Sequence, residues 1–156
     1  MGHFYILTSL IPPTSRISRK KVQHWKPSTA ESRESFINHV KSASDIYLSI
    51  YKKKENAIKY GLQVQPYVMV VGPSINTIIN TYMVIDDNIY KVTSVLRGVD
   101  ICFKTFHVLQ AHYPVESEHL WLFLQKYIFN ISTAWDKNIP ALNTFIAELS
   151  HINKVA

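Results

Sequence analysis

Residues 81–130, TYMVIDDNIYKVTSVLRGVDICFKTFHVLQAHYPVESEHLWLFLQKYIFN, decide the fold. The first part reads as a β-hairpin. With Asp87 and Asn88 as a two-residue turn, Ile85 faces Tyr90, Val84 faces Lys91 and Met83 faces Val92. Met83, Ile85, Tyr90 and Val92 then share one side, and all four are apolar or aromatic. Tyr82, Val84, Asp86, Ile89, Lys91 and Thr93 form a mixed opposite side. This is the pattern of a half-buried antiparallel pair. Asp and Asn tolerate the positive φ that a tight hairpin turn requires.

Two apolar helices are expected after the hairpin. Thr93 or Ser94 can cap the first by accepting a hydrogen bond from a free backbone N–H. Val95, Val99, Cys102, Phe103, Phe106 and Leu109 recur at helical spacing and share one face. Tyr113-Pro114 ends the helix, because the residue before proline disfavours the α region. Glu116 and Glu118 suit the start of the next helix, where acid complements the macrodipole. The run LWLFLQKYIFNI is apolar on nearly every side. Such a helix is either deeply buried or waiting for a partner. Gln125, Lys126 and Asn130 interrupt it too soon for a membrane span.

Working outward, Tyr67–Val71 is a short β-rich run whose continuous apolarity suggests a strand covered on both faces. Gly72-Pro73-Ser74 is a turn, with Ser74 able to cap one helical turn. Upstream, Ser28 and Glu31 have capping-box spacing. Phe36, Val40, Ala43, Tyr47 and Ile50 suggest one long helix that Gly61 closes. Downstream, Ile139, Leu142, Phe145, Ile146, Leu149 and Ile152 mark a last amphipathic helix, with Pro140 tolerated in its first turn. The expected fold is α+β. A long N-terminal helix precedes a small antiparallel three-stranded sheet with the hairpin at 81–93, and three helices pack on one face of that sheet. Residues 1–27 are expected to be a basic flexible leader and 28–156 a single domain.

The chain has 156 residues and a formal net charge of +6. Residues 1–60 hold 11 Lys and Arg against 4 Asp and Glu, while the remainder holds 6 against 7. The basic excess is therefore N-terminal and suits a polyanionic partner. The single cysteine, Cys102, excludes an intramolecular disulfide and favours a reducing, intracellular setting. The start of the chain lacks the basic region and cleavage site of a signal peptide.

The residues offer little for catalysis. Cys102, His107, His112 and His119 are spaced by five, five and seven residues. Helical neighbours on one face are three or four apart, so these four do not converge as zinc ligands. Asp86 and Asp87 are turn residues and Asp100 is a solvated helix position. Gly72-Pro73-Ser74 lacks the spacing of a nucleophile elbow. No catalytic, cofactor-binding or metal-binding residue is assigned, and no cofactor is expected.

The segments WKPSTAESRESFINHV, VQPYVMVVGPSIN and VDICFKTFHVLQAHYPVESEHLWLFLQKYIFNI resemble a domain recurring in uncharacterised insect proteins, many of them similar to relics of mobile elements. The resemblance covers residues 25–131 and brings no activity or site residues with it. It implies a nuclear, nucleic-acid-related setting. The leading functional expectation is a non-enzymatic protein-interaction or self-association module of a mobile-element-derived protein, binding through Trp121, Phe123 and Tyr127 on the all-round apolar helix. The alternative is a weakly sequence-specific nucleic-acid-binding domain that uses Arg16, Arg19, Lys20, Lys21, Lys52, Lys53 and Lys54.

Overall fold

The computed structural model describes residues 2–15, 17–19 and 22–155, and the α+β class holds. The expected contacts Arg16, Lys20 and Lys21 lie outside the described residues, as does the side chain of Arg19. The elements in order are α1 (Gly2–Leu10), β1 (Ile17–Arg19), β2 (Val22–Trp25), α2 (Thr29–Phe36), β3 (Ile37–Val40), α3 (Ile46–Tyr60), β4 (Tyr67–Val71), β5 (Asn80–Ile85), β6 (Asn88–Val92), α4 (Val95–Val108), α5 (Glu118–Phe123) and α6 (Pro140–Val155). A 3₁₀ turn at Ala43–Asp45 precedes α3, and a π-helical turn at Leu124–Ile128 follows α5.

The main sheet has four strands rather than three, in the order β3-β4-β5-β6. β3 pairs parallel with β4, and the other pairs are antiparallel. The extra strand comes from the stretch expected to continue a long helix. Its cap behaves as the sequence predicts. The Ser28 hydroxyl accepts from the Glu31 N–H at 3.1 Å, and the Glu31 carboxylate accepts from the Ser28 N–H at 2.7 Å. The helix nevertheless stops at Phe36. Ile37–Val40 pairs with Val68–Val71, which needs a neighbour on that edge. Helical spacing of Phe36 and Val40 was compatible with both states, and tertiary pairing decides between them.

The hairpin turn is Asp86-Asp87, one residue earlier than expected. Asp86 sits in the left-handed region at φ 53. Ile85 faces Asn88, Val84 faces Ile89 and Met83 faces Tyr90. Moving a two-residue turn by one position shifts the pairing by two, so no side chain changes face. Met83, Ile85, Tyr90 and Val92 still share a side. α4 begins where expected, with the Ser94 hydroxyl accepting from the Arg97 N–H at 3.1 Å. It ends at Val108, before Tyr113-Pro114, and Gln110 follows in the left-handed region at φ 50. Ser74 caps no helical turn; it forms an isolated bridge with Thr77.

Both faces of the sheet are covered, where helices on one face were expected. α4 lies on the face carrying Ile37, Val68, Val70 and Met83. α3 lies on the other, where Ile46 and Ile50 meet Val40, Tyr67, Met69, Val71 and Val84. The α4 layer allows a close approach because position 98 is glycine: a Cβ there would stand 3.2 Å from the Val68 side chain.

The run expected to display Trp121, Phe123 and Tyr127 is core instead. Trp121 is fully buried, Phe123 is buried and Tyr127 is half-buried. Trp121 is the hub of an aromatic cluster, with ring centroids 4.8 Å from Phe36, 5.0 Å from Phe106 and 6.2 Å from Tyr113. In place of an unpacked leader, α1 packs on α2. Phe4 makes an edge contact with Phe36 at 5.8 Å, and Ile11 is buried. No helix among the described residues is long and apolar enough to cross a membrane.

Trp121 and Trp135 make a matched pair for testing this packing, since Trp135 is 94% exposed. Trp121→Ala should cost about 3–5 kcal/mol of unfolding free energy in urea titrations. Trp135→Ala should stay within about 0.5 kcal/mol of the wild type.

Candidate binding cleft

A cleft of about 760 Å³ opens at the lower edge of the sheet, where β3 and β4 begin. One wall is the side of α3 that carries Ser49, Lys52, Lys53, Asn56 and Tyr60. These positions recur at three- and four-residue steps, so they form one helical face. The opposite wall comes from α2, with Glu31, Glu34 and Ser35, and from the segment His112–Glu118 between α4 and α5. Gly61 turns the end of α3 in the left-handed region at φ 62, and Leu62–Gln65 make the rim. Trp25, from the end of β2, stacks on Tyr60 with centroids 4.4 Å apart.

A chain of polar contacts fixes the floor. The Ser49 hydroxyl donates to the Asn38 side-chain oxygen at 2.8 Å, and the Asn38 amide donates to Glu34 at 3.3 Å. Ser35 and Ser117, both buried, share a hydroxyl–hydroxyl hydrogen bond of 3.0 Å. That bond ties the α4–α5 segment to α2. Beyond it, Glu118 accepts from Ser15 at 3.1 Å and from Lys137 at 2.7 Å.

The three consecutive lysines of α3 point three ways, as positions about 100° apart must. Lys54 pairs with Asp87 of the hairpin turn. Lys53 is half-buried, with its ammonium 4.3 Å from the centre of the Tyr67 ring. Burial holds the Lys53 pKa below the usual lysine range, and the carboxylates of Glu116 and Glu34 partly oppose that shift. Lys52 is exposed at the cleft. A continuous lysine surface is therefore not formed at this helix end. Around the cleft, Glu31, Glu34, Glu116 and Glu118 stand against Lys52 and Lys53. The local balance is acidic in a chain of net charge +6.

Next to the floor lies buried His119, one of the four residues whose spacing argued against a zinc site. His119 Nε2 is 3.3 Å from the Ser32 hydroxyl, and both residues are fully inaccessible. Burial pushes the imidazole pKa down to about 4, against weaker opposition from the Ile11 backbone and the Glu118 carboxylate. A serine–histidine pair sealed from solvent holds structure; substrate cannot reach it. Cys102 is likewise buried, and burial pushes its thiol pKa up. His107 contacts the Tyr113 hydroxyl at 3.3 Å, and His112 lines the cleft. Among the described residues no three His, Cys, Asp or Glu side chains are grouped to hold a metal ion.

Sequence reasoning missed Glu34, Asn38, Ser49 and Glu116. Each is an ordinary polar residue in its own segment, and only tertiary packing, the β3–β4 pairing and the Ser35–Ser117 tie among it, brings them to one edge. No family model, no curated protein and no solved structure matches the chain, so geometry alone carries the functional argument.

Two outcomes follow for this region. His119 takes up a proton on unfolding between its ordinary value of 6.5 and about 4, so the unfolded state binds more protons in that window. Stability contributed by this group is full above the window and falls as pH drops through it, by up to about 1.4 kcal/mol per pH unit. His119→Gln should flatten that component in denaturation curves recorded across the window. The Tyr67 hydroxyl is buried without a hydrogen-bond partner among the described residues. Tyr67→Phe keeps the ring beneath Lys53 and should raise stability by about 1 kcal/mol, because an unpaired buried hydroxyl is costly.

Proposed function

We propose that this chain is a non-enzymatic protein-interaction module whose cleft receives a peptide segment bearing a basic side chain. The observation that carries the reading is the surplus of carboxylates around the cleft, with Glu34 and Glu116 beside the half-buried Lys53. A guanidinium or ammonium entering there would gain charge-assisted hydrogen bonds in a partly desolvated setting. The Trp25–Tyr60 stack and the apolar rim of Leu62, Val64 and Pro114 supply contact area for the rest of a peptide. A binding reading is favoured over an enzymatic one because the serine–histidine pair met among the described residues, Ser32 with His119, is sealed in the core beside the cleft.

The second reading is nucleic-acid contact by the N-terminal third. Its support is the charge distribution, 11 basic against 4 acidic residues over positions 1–60. It would draw on Arg16, Arg19, Lys20 and Lys21 together with the exposed Lys52. In that case affinity for random duplex DNA should fall linearly on a log–log salt plot, with a slope near −0.9 per phosphate neutralised.

Titration of short fluorescent peptides separates the two. Arg-containing peptides should bind, their Asp-substituted counterparts should not, and Glu34→Gln with Glu116→Gln should weaken binding about tenfold or more. Equal binding by both peptide sets, or an unchanged affinity in the double variant, would overturn the cleft as the binding site.

A further inference from the structure

The cleft holds a cation that has no anion bonded to it. Lys53 lines the cleft and is half-buried. Among the described residues no carboxylate stands within ion-pair distance of its ammonium, in contrast to Lys54, Lys104 and Lys137. The ammonium lies instead over the Tyr67 ring, 4.3 Å from its centre. A ring face stabilises a cation less than a bonded carboxylate does where water is partly excluded. The carboxylates of the cleft are also left without a cation. Glu116 is half-buried and forms no ion pair among the described residues, and Glu34 accepts from the neutral Asn38 amide at 3.3 Å. Both oppose the drop in the Lys53 pKa, so their field reaches the ammonium although neither bonds it.

The cleft therefore has two poles, a cation on α3 and carboxylates on α2 and the α4–α5 segment, with a gap between them. Its floor is made of groups already bonded to each other, Ser49 to Asn38 and Ser35 to Ser117. The complement is a ligand that carries an anion and a cation on one short spacer. A terminal Arg or Lys residue has that form, with its α-carboxylate at one end and its side-chain charge at the other. An internal basic residue brings only the cation, sets it in a cleft that already holds Lys53, and needs room for the backbone to leave on both sides.

We infer that the cleft takes the carboxy-terminal residue of a partner chain, a terminal Arg or Lys whose α-carboxylate pairs with Lys53 and whose side chain pairs with Glu34 and Glu116. The inference rests on the cleft reading proposed above and adds which end of the peptide enters. Capture of a terminal carboxylate is a recurring mode of peptide recognition. The Tyr67 ring holds the Lys53 ammonium in place before the ligand arrives, which lowers the ordering cost of binding. The preceding residues of the peptide leave over the rim, where the side-chain amides of Gln63 and Gln65 offer donors and acceptors to its backbone.

The test uses the full chain and three hexapeptides labelled at the amino end. One ends in Arg as the free acid, one in Arg amide, and in the third Gly-Gly follows the Arg. Fluorescence anisotropy should show the first binding at least about tenfold more tightly than the other two. Lys53→Met keeps an unbranched side chain over Tyr67 and removes the charge. It should bring the free acid down to the level of the amide, with an unchanged circular dichroism spectrum and no loss of melting temperature. Glu34→Gln with Glu116→Gln should weaken acid and amide alike and leave the preference for the acid. The inference fails if acid and amide bind the wild type equally, or if Lys53→Met retains the preference; the cleft reading still stands in both cases when the double variant weakens binding. If no Arg peptide binds, the cleft reading falls and this inference falls with it. Free arginine that displaces the labelled peptide at equal concentration would make the occupant a free amino acid and overturn the partner chain.

Discussion

Tyr67–Val71 has no charged side chain, and every residue in it is buried. A strand of that composition is stable only when both edges are paired and both faces are covered. The rest of the architecture meets this requirement. β5 takes one edge and returns through the hairpin to β6. Ile37–Val40 takes the other edge, which removes it from the helix that its own capping box initiates. α4 closes one face, with Gly98 permitting the approach, and α3 closes part of the other. Behind α4, Phe36, Phe106 and Trp121 pack edge to face, so the parallel strand and the helix before it are held to the same aromatic cluster.

What was legible in the sequence was local. The capping box at Ser28, the left-handed glycine at 61, the Ser94 cap, the sidedness of the hairpin and the doubly covered strand can all be read from neighbouring residues, because their physics is contained within a turn or two. What was not legible depended on partners far along the chain. Phe36 and Val40 have helical spacing, and only Val68–Val71 makes a strand of the segment between them. An apolar helix that could be either core or surface, Leu120–Phe129, is resolved by Phe36 and Phe106, which lie at distant positions. The same limit hid the cleft. Glu34, Asn38, Ser49 and Glu116 carry no pattern of their own.

The cleft owes its character to α3. α3 is a helix whose buried face is narrow, centred on Ile46 and Ile50. One flank turns toward the start of β3 and β4 and meets the α4–α5 segment; the other overlooks β5 and β6. Three consecutive lysines are therefore distributed among three environments: a carboxylate-rich cleft, an aromatic ring and an ion pair with Asp87. Charge counted along the chain implied a single basic patch. Charge mapped onto the helix gives separate environments and no single patch.

The contacts that join the first 36 residues to the α4–α5 region carry a consequence for biosynthesis. Ser35 bonds Ser117 across 82 residues, Ser32 meets His119 across 87, and Ser15 meets Glu118 across 103. Translation proceeds at about 5–20 residues per second, so α2 emerges from the ribosome several seconds before the segment that covers it. Throughout that interval Phe36 and Ile37 have no Trp121 to pack against, and for about its first third the edge of β3 has no β4. The nascent chain thus presents an apolar segment and an unpaired strand together, the combination on which chaperones act.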